Sequence, residues 1–150
     1  MIGLFTHDHY SHMSSIIEPM WDDHYAESAR NKELFRLDPD FSVYQSVSQA
    51  GNFIGVVAYD DGLAIGYSVS FIAAHPHYKQ AQIAWNDLLY VSPAYRQGSA
   101  GGRLMVATRA AAKRRGCKAV SWHAKPNTAL DRLLAKRMPV NEHLYMDHLR

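Results

Sequence analysis

One stretch constrains the fold more than any other: Leu88–Arg115, reading LLYVSPAYRQGSAGGRLMVATRAAAKRR. Leu88–Val91 is a short apolar run of the kind found in buried strands, and Pro93 ends it because proline cannot donate to a ladder. Arg96–Gly102 (RQGSAGG) carries almost no bulky side chain, so its backbone amides are open to close approach by a ligand. From Leu104 the chain is alanine-rich, with Leu104, Thr108 and Ala111 at helical spacing and Gly116 as a stop. A small-residue loop entering a helix N-terminus suits an anion, because unpaired N–H groups and the helix dipole converge there. A plain strand-to-helix turn uses glycines in the same place.

The rest of the chain sets bounds on this core. Its 150 residues suffice for one domain, 1–150, with a real interior. Hydrophobic residues at 47% and charged residues at 20% exclude disordered and collagen-like classes. No apolar run approaches the roughly 20 residues that span a bilayer, and the start, MIGLFTHDHY, has neither the basic region nor the apolar core of a secretory signal. The lone Cys117 has no internal partner, which fits a reducing, cytoplasmic compartment; placed in a strand it serves as a small hydrophobe. Net charge is only +2, but acids gather in Met1–Asp40 and bases in Arg96–Arg137, where Asp131 is the one acid. That basic half favours an anionic partner, a phosphate-bearing cofactor or nucleic acid. Solvated helix faces account for many such charges equally well.

Periodicity predicts a first helix from about Ile16 to Asn31, opened by the capping-box-like Ser15–Glu18. A second short helix follows, with Asp38 as N-cap, Pro39 at its first position and Gly51 at its end. Phe53–Tyr59 and Leu63–Ile72 read as strands joined by the turn Asp60-Asp61-Gly62. In the second strand Ile65, Tyr67, Val69 and Phe71 face one way; Ala64, Gly66, Ser68 and Ser70 face the other, where close packing is implied. Gln80–Val91 completes an antiparallel meander. Cys117–Ala124 returns after the long helix as a parallel strand through a right-handed crossover. Asn127 is expected to cap a helix over Thr128–Arg137, with Leu130, Leu133 and Leu134 inward, and Val140–Met146 to form a last strand. The N-terminal segment with His7, His9 and His12 reads as a polar, mobile end; a metal site on a strand face is its alternative.

LYVSPAYRQGSAGGRLM, followed by a strand, Asn127 and a short helix, resembles the GCN5-related N-acetyltransferase (GNAT) family. The family signature on this loop, Arg/Gln-x-x-Gly-x-Gly/Ala, falls on Arg96-Gln97-Gly98-Ser99-Ala100-Gly101, with Ser99 where Gly is usual and free to cap the helix itself. The order of elements agrees from about Ile16 to Met146. The resemblance implies an α+β (mixed α/β) GNAT-like acyl-CoA N-acyltransferase fold: a mixed, mostly antiparallel sheet with a splayed parallel strand pair, flanked by helices. It implies acetyl-CoA as acyl donor. The diphosphate would lie on the amides of Gln97, Gly98, Ser99, Ala100, Gly101 and Gly102, with charge from Arg96 and Arg103. The pantetheine arm would follow the backbone of Leu89, Tyr90 and Val91 in the opening towards Cys117–Ala124, with Asn127 on the same side. Many members place a Tyr seven residues after that Asn to protonate the leaving thiolate. Here the position is Leu134, which leaves Tyr145 or water for the role.

Direct acyl transfer to an amine needs a base near neutrality, a donor to the carbonyl oxygen and a water-poor cleft. It needs no covalent intermediate, in keeping with the lack of a credible Cys or Ser triad. Asp87, read as alternating with Leu89 and Val91, is the first candidate base, and His123, near the end of the next strand, the second. A hydrogen-bonded strand Asp and a satisfied core His are their structural alternatives. His75 and His77, in a loop, and Asn86 are candidates for substrate contact. The acceptor class is a primary amine, on a small molecule or a protein. Two other readings stay open: a CoA-binding relative without catalysis, and a basic nucleic-acid-binding module over Arg109–Lys118, which lacks interleaved aromatics. A homodimer stays open, and no resident metal is expected.

Overall fold

The antiparallel meander expected over Phe53–Val91 is built, with register shifts, and it extends at both edges. The computed structural model describes residues 1–149. The elements are β1 (Ile2–His7), α1 (Ser14–Ile17), a 3-10 turn at Glu18–Met20, α2 (Trp21–Ser28), α3 (Phe41–Gln49), β2 (Phe53–Asp60), β3 (Leu63–His75), β4 (Tyr78–Val91), α4 (Ala100–Arg114), β5 (Ala119–Ser121) and α5 (Ala129–Ala135). One sheet runs β1-β2-β3-β4-β5, antiparallel except for the parallel β4–β5 pair. No helix among the described residues is long and apolar enough to cross a membrane.

Two layers of helices cover the sheet. On one face Met13, Ile17 and Trp21 of α1–α2 pack on Phe53, Val57, Tyr67, Val69 and Tyr90. On the other, Ala100, Leu104, Ala111 and Ala112 of α4 lie over Ile54, Val56, Ala58, Ile65 and Ile72. The small residues of β3 admit this helix and its neighbouring strand. A Cβ on Gly66 would stand 2.6 Å from the Tyr90 carbonyl oxygen, and Ser68 is wholly buried against Thr108, whose hydroxyl donates to it at 3.0 Å.

Several sequence expectations are corrected here. The N-terminus is the edge strand β1, its α-amino group 3.1 Å from Asp60, and not a mobile end. A register shift between Ala58 and Tyr59 turns Ile65 to the α4 face while Tyr67 and Val69 keep the opposite one; one extra residue inverts the sense of every side chain before it. The first helix is broken by Pro19 into two pieces around a 3-10 turn and makes no side-chain cap. Asp40, not Asp38, caps α3, accepting from the Ser42 amide at 3.0 Å. The returning strand is only Ala119–Ser121, so Cys117 precedes it and is half-buried. Val140–Met146 has no regular structure.

Candidate active site

The site begins with a bulge. β3 and β4 pair Val69 with Leu88 and then Ser70 with Asn86, so Asp87 is an extra residue without a partner. Asp87 therefore does not alternate with Leu89 and Val91. It looks out with Leu88 on the α1–α3 face, while Leu89 and Val91 pack under α4. Asn86 holds the kink. It is 4% exposed, and its amide nitrogen lies 3.1 Å from both the Val69 and Leu88 carbonyls and 3.1 and 3.2 Å from Ser68 Oγ and Ser70 Oγ. The expected substrate contact is thus a buried staple.

Beyond the bulge β4 and β5 part. Their pairing covers Ile83–Ala119 to Trp85–Ser121 and stops, while β4 runs on to Val91 without a neighbour on that side. β4 then delivers the chain through Pro93–Tyr95 to the N-terminus of α4. The Gly98 amide reaches the Tyr95 carbonyl and the Arg103 amide that of Ser99. The amides of Gln97, Ser99, Ala100, Gly101 and Gly102 find no acceptor among the described residues. Ser99 makes no side-chain cap, so no described residue competes for these donors. Five free N–H groups at the positive end of a 15-residue helix are a ready cradle for phosphate oxygens.

The opposite face of β4 carries a cleft of about 500 Å3 between α2, the segment leading to α3, α3 and the sheet. Its walls are aromatic (Tyr25, Tyr44, Tyr67, Phe71) and its charges mostly acidic (Asp38, Asp40, Asp87, against Arg36). The Tyr44 hydroxyl donates to Asp87 at 2.9 Å, and burial followed by that carboxylate pushes the phenol's pKa far up, so Tyr44 stays a donor. His24 Nδ1 lies 2.8 Å from the Tyr67 hydroxyl, and its ring stacks on Tyr90 at 4.9 Å between centroids.

The family model for the acetyltransferase (GNAT) family matches residues 13–138. The chain belongs to the GNAT acetyltransferase family. Its donor is therefore acetyl-CoA, and its chemistry N-acetyl transfer. Solved structures of the same fold include an aminoglycoside acetyltransferase from an uncultured soil metagenomic sample, in complex with sisomicin (TM-score 0.74, 16% identity, 99% of this chain and 95% of that one). Another is the ribosomal-protein-alanine N-acetyltransferase from Brucella melitensis biovar Abortus 2308 (TM-score 0.73, 15% identity, 100% of both chains). A third is AAC(6')-Iy with the bisubstrate analog CoA-S-monomethyl-acetylneamine (TM-score 0.67, 17% identity, 100% and 99%). No curated protein matches the chain by sequence.

The arginines around the loop differ in their surroundings. Arg96 does not face the free amides: its guanidinium pairs with Glu27 at 2.6 Å, and its Nε donates to the Val91 carbonyl at 2.8 Å. It clamps α2 to the end of β4. Arg103 is exposed at the start of α4. Arg137, which the sequence reading passed over, lays its guanidinium against Gly102, 3.4 Å from where a Cβ would stand. Asn127 has a left-handed φ of 65° and its amide donates to Asp131. Thr128, not Asn127, caps α5, accepting from the Asp131 amide at 3.2 Å.

Other candidates stand apart from the cleft. His75 flanks and His77 sits in the tight turn of the β3–β4 hairpin, with the His75 ring edge-on to His77 and tilted against Tyr78. Neither lines the cleft, which gathers at the other end of β4. His123 is exposed beyond β5. Tyr145 is 87% exposed on the irregular tail and cannot serve as a buried acid there. No spacing rule in the sequence shows that the hydroxyls of Tyr44 and Tyr67 meet Asp87 and His24.

Proposed function

We propose that the chain acetylates a small, cationic primary amine that enters the aromatic, acidic cleft while acetyl-CoA lies in the gap beside β4. One observation carries this reading. The bulge at Asp87 puts a carboxylate, held by Tyr44, on the cleft side of β4 at the level where β5 departs. Bound acetyl-CoA supplies an activated carbonyl carbon. The amides of Gln97 and Ser99–Gly102 hold its diphosphate, with Arg103 and Arg137 adding charge, and the freed edge of Leu89–Val91 receives the pantetheine. Asp38, Asp40 and Asp87 attract and seat the ammonium group, and the tyrosine and phenylalanine rings flank its carbon skeleton. A cleft of this size and charge suits a polyamine-like compound such as an aminoglycoside better than a folded protein terminus. Leu134 is buried where a Tyr acid is common, so the sulfur takes its proton from the attacking nitrogen or from water.

The second reading, a CoA-binding relative without catalysis, draws on the same Leu134 and on the exposed Tyr145. Thiol release from acetyl-CoA, measured across an amine panel, separates the two. Release that depends on a cationic amine and drops at least tenfold in Asp87→Asn supports the transferase. Cofactor binding with no amine-dependent release establishes the alternative.

A further inference from the structure

We infer that His24 is the group that takes the proton from the acceptor's ammonium, with Tyr67 as its positioning partner. The inference rests on the acceptor cleft proposed above. His24 sits on α2, half-buried in the wall of that cleft. Tyr67 reaches it from β3, and that side chain is wholly buried. The hydroxyl bonds His24 Nδ1 at 2.8 Å, and stacking on Tyr90 fixes the plane of the ring. The other ring nitrogen, Nε2, has no protein partner among the described residues, and it is not among their buried orphan atoms, so solvent or a ligand in the cleft reaches it. The base form is the tautomer with the proton on Nδ1, donated to the Tyr67 oxygen; in it Nε2 presents its lone pair outward, whereas the opposite tautomer accepts from the hydroxyl and carries its proton on Nε2.

The groups around His24 favour a neutral ring. Burial lowers its pKa; Glu27 on the same helix opposes this, but Glu27 is already paired with Arg96. Arg96, following β4, and Lys125, following β5, lower it further, and Tyr67 and Tyr90 are neutral phenols raised by burial. Imidazole is the one side chain in the cleft whose ordinary chemistry exchanges protons near neutrality. In the step, the ammonium passes one proton to Nε2, and the freed nitrogen bonds to the thioester carbonyl carbon. The carbon–sulfur bond breaks, the second nitrogen proton leaves with sulfur as the thiol, and the imidazolium releases its proton to water. The balance is one amide, one thiol and one proton.

The test uses the full chain with acetyl-CoA, sisomicin and spermidine as acceptors. His24→Gln should keep calorimetric acetyl-CoA affinity and lower amine-dependent kcat/KM by about 100-fold, the lower range for general base catalysis. It should also erase the acid limb of the kcat/KM profile. Tyr67→Phe should keep part of the rate but move that limb together with the His24 titration followed by NMR. A folded His24→Gln within twofold of the parent, with the same acid limb, overturns the inference and leaves the transferase reading intact. A parent that binds acetyl-CoA but acetylates neither those two amines nor any amine of the panel overturns both.

Discussion

Replacing Asn86 by Leu tests whether the bulge shapes the site. Leucine has the same branched shape and the same number of side-chain heavy atoms, so the change removes hydrogen bonding without opening a cavity, and its bulkier methyl groups can only add to the cost. Asn86 Nδ2 has two hydrogens facing four acceptors: the Val69 and Leu88 carbonyls and the Ser68 and Ser70 hydroxyls. The residue is 4% exposed, so water cannot substitute at the site. Each buried acceptor left unsatisfied costs about 1–3 kcal/mol, and the serine hydroxyls can rotate to other partners. Counting the two carbonyls alone, with partial relaxation, we expect a loss of about 2–4 kcal/mol. For a chain of this length that is a fall in Tm of about 5–15 °C. Removing the staple also relaxes the kink that turns Asp87 to the cleft, so amine-dependent turnover should fall more than acetyl-CoA binding. Denaturant melts, calorimetry with acetyl-CoA and amine-dependent thiol release measure the three quantities. An Asn86→Leu protein with parental stability and turnover would refute the reasoning.

Other outcomes follow from single contacts. Gly66→Ala places a methyl group 2.6 Å from a backbone carbonyl oxygen that cannot swing aside, and should cost about 1–3 kcal/mol in a urea melt; a neutral result would show that β4 shifts freely. Arg137→Gln should weaken acetyl-CoA binding about three- to tenfold at low salt, and less at high salt; unchanged affinity at low salt would remove Arg137 from the cradle. Burial lowers the pKa of His24 from its ordinary 6.5, so below that value the unfolded chain binds more protons than the folded one. Stability is therefore complete above about pH 6.5 and declines as pH falls, and His24→Gln should flatten that decline between pH 7 and 5.5.

The meander, the crossover helix and the phosphate loop were legible because each has a local cause: alternation in Phe53–Tyr59, the turn at Asp60–Gly62, and small residues before an alanine-rich helix. What escaped was set by register. Nothing in the stretch Trp85–Leu89 announces that one residue is surplus, yet that surplus decides which face Asp87 and Asn86 occupy. The ion pair of Arg96 with Glu27 joins residues far apart in the chain, so the motif arginine looked free. The short apolar alternation around Tyr145 suggests a strand, but Val140–Met146 pairs with no described strand and Tyr145 is exposed. The N-terminal strand was missed because its histidines suggested a solvated end, whereas pairing with β2 holds Ile2–His7 in place.

Backbone amide NMR during addition of CoA tests the central claim most directly. We expect saturable shifts at Gln97 and Ser99–Gly102, together with Leu89–Val91, and little change along β1 and β2. Shifts confined to other surfaces, or none at millimolar CoA, would contradict a cradle of unpaired main-chain donors beside parted strands.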